Sequence, residues 1–211
     1  EAVRQIIGVD PSPELLSRAA QTSHGLMPAA EMIEGVAEAL PLEDRSVDCV
    51  VATWALCSVS EPEKALAEIR RYAELGGRTI VDTTSMNSGR DLRALRDLSE
   101  RSGVTVIAGT GYYLDPSLPA DFSSLTPDDV AEQILADLTG GEDGIRPGII
   151  GEIGVSAEFT ALERVSLTGA LRAQREACLP IEVHLPAWFR RGHEVLDLAE
   201  APGTGWRDAV G

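Results

Sequence analysis

Glu152 and His184 are the two residues whose types and placement point most directly to chemistry. Each stands near the carboxyl end of a short apolar run, Gly148-Ile149-Ile150-Gly151-Glu152-Ile153-Gly154 and Ile181-Glu182-Val183-His184-Leu185-Pro186. A carboxylate and an imidazole both ligate zinc and similar divalent ions. If the two runs are neighbouring parallel strands, their ends open on one mouth, and Glu152 and His184 can share a metal there. Taken pair by pair, a Glu beside a His is more often structural. Tyr112 and Tyr113 end a third run that starts at Val104; they read as an apolar wall with hydroxyls at its rim. Gly109-Thr110-Gly111 just before them reads as a turn rather than a phosphate loop. Asp10 ends a fourth run, Ile6-Ile7-Gly8-Val9. An acid at such a strand end can accept both hydroxyls of a ribose, although a strand followed by a capping Asp explains the same pattern.

These residues need a frame of strands to hold them. Strand patterns fall at Gln5–Val9, Glu31–Gly35, Asp48–Thr53, Thr79–Thr83, Val104–Gly109, Gly148–Ile153 and Ile181–Leu185. Helix-period apolar spacing fills Pro13–Ala20, Pro62–Arg71, Arg90–Ser102, Pro127–Leu138, Ala161–Ala177 and Arg190–Ala199. Pro13, Pro62 and Pro127 each follow a Ser, Glu or Thr, as at a helix start. Strand, crossover helix, strand predicts a parallel α/β sheet with its functional groups at the carboxyl ends of the strands. An open or incomplete sheet is expected rather than a closed barrel, since an eight-stranded barrel takes about 250 residues and this chain has 211.

Composition excludes several function classes. A formal charge of −16 argues against a nucleic-acid partner, which needs clustered Lys and Arg. The longest apolar run, Cys49–Val59, is too short to cross a bilayer, so no membrane role is expected. Three cysteines, Cys49, Cys57 and Cys178, form no C-x-x-C pair; buried reduced thiols in a cytoplasmic protein are the expectation. Histidine is scarce, with only His24, His184 and His193, and His193 falls on the last helix, where it reads as structural.

Two motif sets are present. Over about residues 4–71, Ile6-Ile7-Gly8-Val9-Asp10, Gly35-Val36-Ala37-Glu38-Ala39-Leu40-Pro41, Asp44 to Thr53 and a helix ending Ala67-Glu68-Ile69-Arg70-Arg71 resemble a class I S-adenosylmethionine-dependent methyltransferase from its second strand onward. The resemblance implies a Rossmann-like segment in which Asp10 meets the cofactor ribose, Ala37 and Glu38 lie beside the adenine, and Trp54 to Leu56 face the methionine end. The glycine-rich loop after that family's first strand has no counterpart, so weak or no S-adenosylmethionine binding is expected. From about Gly76, the blocks Val81-Asp82-Thr83-Thr84, Ala108-Gly109-Thr110-Gly111-Tyr112-Tyr113, Ile149-Ile150-Gly151-Glu152-Ile153-Gly154 and Val183-His184-Leu185-Pro186-Ala187-Trp188 resemble the phosphotriesterase family of the amidohydrolase superfamily. That resemblance implies strands two to five of a partial β/α (TIM-type) barrel and a divalent metal, zinc by preference. It makes Glu152 a metal-bridging carboxylate and His184 a metal ligand, with Tyr112 or Tyr113 lining the pocket for a small ester or lactone. The family draws further histidines from a His-x-His on strand one and from strand six, and none of these has a counterpart here. The expectation is a methyltransferase-like segment over residues 1–71 and a hydrolase-like one over 72–211, joined near Arg71–Gly76, the hydrolase site being incomplete and inactive as this chain.

Overall fold

The structure, a computed structural model, describes residues 6–23, 30–36, 39–43, 50–52, 62–186 and 190–201. Strands and helices alternate along it: β1 (Ile6–Asp10), α1 (Pro13–Ser23), β2 (Ala30–Glu34), β3 (Val50–Ala52), α2 (Pro62–Glu74), β4 (Thr79–Asp82), α3 (Leu92–Ser102), β5 (Thr105–Thr110), α4 (Pro127–Gly140), β6 (Ile149–Gly154), α5 (Ala161–Ala177), β7 (Ile181–His184) and α6 (Gly192–Glu200). Each expected element is found within a few residues of its predicted bounds. Two short 3-10 turns, Asp115–Ser117 and Phe122–Ser124, lie in the long β5–α4 connection. Cys49, Cys57, Trp54 to Leu56, Ala37 and Glu38 lie outside the described residues. Cys178 is exposed.

Every pairing between the named strands is parallel, and the strands divide into two sheets. Among the described residues β1 pairs only with β2, while β3-β4-β5-β6-β7 form a second sheet in sequential order. Sequential parallel order with a helix after each strand is the pattern of a β/α barrel, here as an open half-barrel. At the amino-terminal side of that sheet, β3 lies along β4 with Ala52 opposite Asp82. Arg71, on α2, donates to the carbonyls of Leu40 and Leu42 at 3.4 and 3.3 Å, tying the β2 side to the larger sheet.

Helix ends follow their cap chemistry. Thr126 and Thr160 begin α4 and α5 with full capping boxes, Asp129 and Glu163 closing them. Asp91 caps α3, and Gly103 ends it in the left-handed region at φ 73°. The main core lies between α4, α5 and the sheet, around Phe122, Ile134, Ile150, Ile153 and Leu167, all fully buried. A second joins Leu66, Ile69 and Tyr72 of α2 to Ile80, Leu98 and Val104. Ile181 and Val183 of β7 pack on the main core. The two-residue alternation of a strand therefore turns Glu182 and His184 to the opposite, concave face.

Candidate functional site

The carboxyl ends of β4 to β7 are drawn together by backbone. Glu152 N donates to Thr83 O at 2.7 Å, Gly154 N to Tyr112 O at 3.2 Å and Val155 N to His184 O at 3.0 Å. Glycine at 109 permits the approach, because a Cβ there would stand 2.1 Å from Gly151 O and 2.9 Å from Thr83 Cα. The loop after β4 fixes two further points. Ser85 Oγ donates to Glu152 O at 2.8 Å, and Asn87 Oδ1 accepts from Tyr113 N at 3.0 Å while its amide donates to Ser117 O at 2.9 Å. Below them, Arg90 is paired with Asp137 at 2.6 Å and also donates to Gly109 O at 2.9 Å.

Glu152 and His184 meet at this mouth, with His184 Nδ1 2.6 Å from Glu152 Oε1. Glu152 is 3% exposed, and the imidazole is the side-chain partner of its Oε1. The hydrogen bond to Glu152 holds His184 above the usual histidine range, against the opposing effect of burial; the charges of Glu152 and Glu182 add to the rise. Glu182, two residues before His184 on the same face, is pushed up to about 6 by burial and by Glu152, with His184 opposing. Tyr113 closes the site, its ring edge-on to His184 with centroids 5.2 Å apart. Burial, then the charges of Glu152 and Glu182, keep its hydroxyl protonated far above neutrality.

Not every sequence candidate comes to this mouth. Tyr112 turns the other way, into the helix-side core, where its ring stacks edge-on with Phe122 at 4.9 Å and its hydroxyl donates to Gln133. His193 is exposed on α6. Asp10 stands at the end of β1, in the separate two-stranded sheet, and its Oδ1 accepts from Ser12 N at 2.7 Å in a local turn. Sequence reading passed over Glu182, Ser85 and Asn87. Glu182 was legible from its two-residue spacing to His184. Ser85 and Asn87 act through main-chain atoms of distant strands and leave no local signal.

Buried polar atoms without partners gather at the same end of the sheet. Asp82 Oδ2, Thr83 Oγ1 and Thr84 Oγ1 after β4 and Glu182 Oε2 on β7 have no hydrogen-bond partner among the described residues. Burial raises the Asp82 carboxyl, partly offset by Thr84, whose backbone N donates to Asp82 Oδ1 at 3.1 Å. Such clustering marks a place where a core rule is relaxed, as functional sites are. A divalent metal would find one carboxylate and one imidazole side by side. Among the described residues no group of three or more His, Cys, Asp or Glu is arranged to hold a metal, so the pair fits part of a donor set rather than a whole one.

An all-parallel β/α half-barrel with a carboxylate and an imidazole at the carboxyl ends of adjacent strands is part of a β/α-barrel scaffold with its polar groups at the usual mouth. Residues 48–207 match the phosphotriesterase family model, and the chain belongs to that family. Residues 1–81 also match the model of a methyltransferase domain, so the two matches overlap over residues 48–81. A phosphotriesterase-related protein of Nematostella vectensis is 36% identical over 124 residues, covering 58% of this chain and 35% of that protein. The N-acetyltaurine hydrolase of Salmo salar is 35% identical over 131 residues, covering 61% of this chain and 38% of the relative. The chain thus spans little more than a third of the length of these curated relatives. A solved structure of a resiniferatoxin-binding protein from Rhodobacter sphaeroides superposes with TM-score 0.65 at 50% identity, over 67% of this chain and 40% of that one. Among the described residues, no helix is long and apolar enough to cross a membrane.

Proposed function

We propose that Glu152 and His184 form part of the metal centre of a hydrolase acting on a phosphoester, lactone or related carbonyl bond of a small molecule. The observation that carries this reading is the 2.6 Å contact between the two at the mouth of adjacent parallel strands, in a chain of the phosphotriesterase family. The N-acetyltaurine hydrolase relative adds amides to the bond types considered. In this reading Glu152 orients the imidazole and supplies negative charge, and Tyr113 walls the substrate pocket as a neutral hydroxyl. A divalent cation, with zinc the natural choice for one carboxylate and one imidazole, supplies Lewis-acid polarisation of the bond to be cleaved. Two ligands hold such an ion weakly. The isolated chain is therefore expected to bind zinc weakly and to hydrolyse esters and lactones negligibly.

The same proposal takes the chain as a chimera whose methyltransferase-like and hydrolase-like parts meet near Arg71–Gly76. The paired family matches support it. S-adenosylmethionine-dependent methyl transfer is the second reading, favoured by the match over residues 1–81 and weakened by the engagement of Asp10 with Ser12. A cytoplasmic setting accords with cysteines that include no C-x-x-C pair.

The test is a zinc titration of the full chain by calorimetry, with Glu152→Gln and His184→Asn as controls. Weak binding lost in both variants supports the assignment. Zinc binding unaffected by either substitution removes these residues from the metal centre, and tight binding with measurable esterase turnover overturns the expectation of an incomplete site.

A further inference from the structure

The helix layer over the larger sheet contains a cleft whose chemistry differs from that of the mouth. α2 packs on α3 and α4 on α5, whereas α3 and α4 make no comparable contact. Ion pairs span the gap instead, Arg90 to Asp137 at 2.6 Å and Arg93 to Glu142 at 3.4 Å. Beside them, a cavity of about 240 Å³ lies between α3, β5 and the segment Ile145–Gly148 that leads into β6. Its floor is Leu92, Leu95, Val106 and Ala108, a small apolar cluster separate from the two larger cores. Two guanidinium groups, Arg96 and Arg146, border it. Arg96 is paired with Glu100 at 2.7 Å. Arg146 is exposed, and no carboxylate among the described residues pairs with it. Arg146 thus offers a free guanidinium at the rim of an apolar cavity.

We infer that this cleft binds a single-chain amphipathic carboxylate, with its tail against Val106, Ile145 and the edge of Leu95 and its head on Arg146 and Arg96. A guanidinium fork matches a planar carboxylate through two parallel hydrogen bonds. The floor is formed by apolar side chains with Ser99 at one edge, which favours an alkyl or aryl group over a polar sugar. The acidic surroundings tolerate one negative charge at this cationic rim and repel a polyanion such as a nucleotide. Val106 and Ala108 belong to the helix side of β5, the face opposite Glu152 and His184, so the inference stands apart from the hydrolase reading.

The experiment titrates the full chain with octanoate, and in parallel with octanol, which has the same tail and no charge, following binding by calorimetry and amide chemical shifts. Octanoate is expected to bind one per chain, with shifts centred on Val106, Ile145 and Arg146. Arg146→Ala removes the charge-assisted head contact and is expected to weaken binding about tenfold or more. This variant alters an exposed residue without an ion-pair partner, and an unchanged urea midpoint verifies its fold. Absence of octanoate binding at millimolar concentration, equal binding of octanol, an unchanged affinity in Arg146→Ala, or shifts centred elsewhere each overturn the inference.

Discussion

Replacing Glu182 by Gln should stabilise the protein, although the residue lies beside the candidate metal ligands. Its Oε2 is buried without a hydrogen-bond partner, and burial together with the charge of Glu152 pushes its carboxyl from 4.5 to about 6. A folded-state value above the unfolded one means that the associated stability is fully present below about pH 4.5 and is lost as pH rises through about 6. A rise of about 1.5 units corresponds to about 2 kcal/mol. The side chain is only half-buried, so solvent screening reduces the expected effect to about 1 kcal/mol. Gln keeps the shape and removes the charge; its amide is cheaper to bury unpaired than a carboxylate. Urea unfolding compares the two proteins at about pH 4.5, 6 and 8, the window over which the linkage acts. The expected result is no difference at the lowest pH and an advantage of about 1 kcal/mol for Glu182→Gln at the highest. Glu182→Gln also removes one of the charges that raise His184, so the loss of that attraction offsets part of the gain and is included in the reduced figure. A variant no more stable than the parent near pH 8, or more stable by the same amount at every pH, would refute the account of Glu182 as a strained, desolvated carboxylate.

Two further predictions concern what holds the site in place. Phe122 is fully buried between Tyr112 and the main core, so Phe122→Ala should cost about 3–5 kcal/mol in urea unfolding; a loss below about 1 kcal/mol would contradict that packing. Asp137→Ala leaves the Arg90 guanidinium, whose side chain is 10% exposed, buried and unpaired and should cost about 3 kcal/mol, whereas Arg93→Ala, which breaks only exposed pairs, should cost under about 1 kcal/mol. Equal losses in the two would show that burial does not set the strength of these pairs.

The order of elements was legible because each one carries its own local pattern. Thr126-Pro127 and Thr160 mark helix starts with capping boxes, and the β6 and β7 runs show their apolar character within a few residues. The meeting of Glu152 with His184 was legible for the same reason: both sit at strand ends, and the parallel topology carries strand ends to one side. What escaped was long-range. Nothing near Tyr112 shows that Phe122 and Gln133 will draw it into the helix-side core while its neighbour Tyr113 goes to the mouth. Division into two sheets was also hidden, since the β1 and β3 runs look alike and only pairing distinguishes them. The alternation of Glu182 with His184, by contrast, was available and was overlooked.

The turn at Gly76–Arg78, which lies inside the stretch matched by both family models, is not a hinge. Tyr72 lays its ring over Gly77, where a Cβ would come within 2.2 Å of it, and its hydroxyl donates to Thr79 O at 3.0 Å. Leu66, Ile69 and Tyr72 from before the turn share one buried cluster with Ile80, Leu98 and Val104 from after it. Helix α2 therefore belongs to the same cooperative unit as the strands that follow, whatever the ancestry of each. Module exchange at this point cannot work as it does at a flexible linker, where each side keeps its own interior. Any swap that brings in a new helix here must also bring side chains that fill the space over Ile80 and Val104, and an insertion between Tyr72 and Thr79 would part the ring from its glycine. In packing terms, the stretch that both family models claim is the middle of a core.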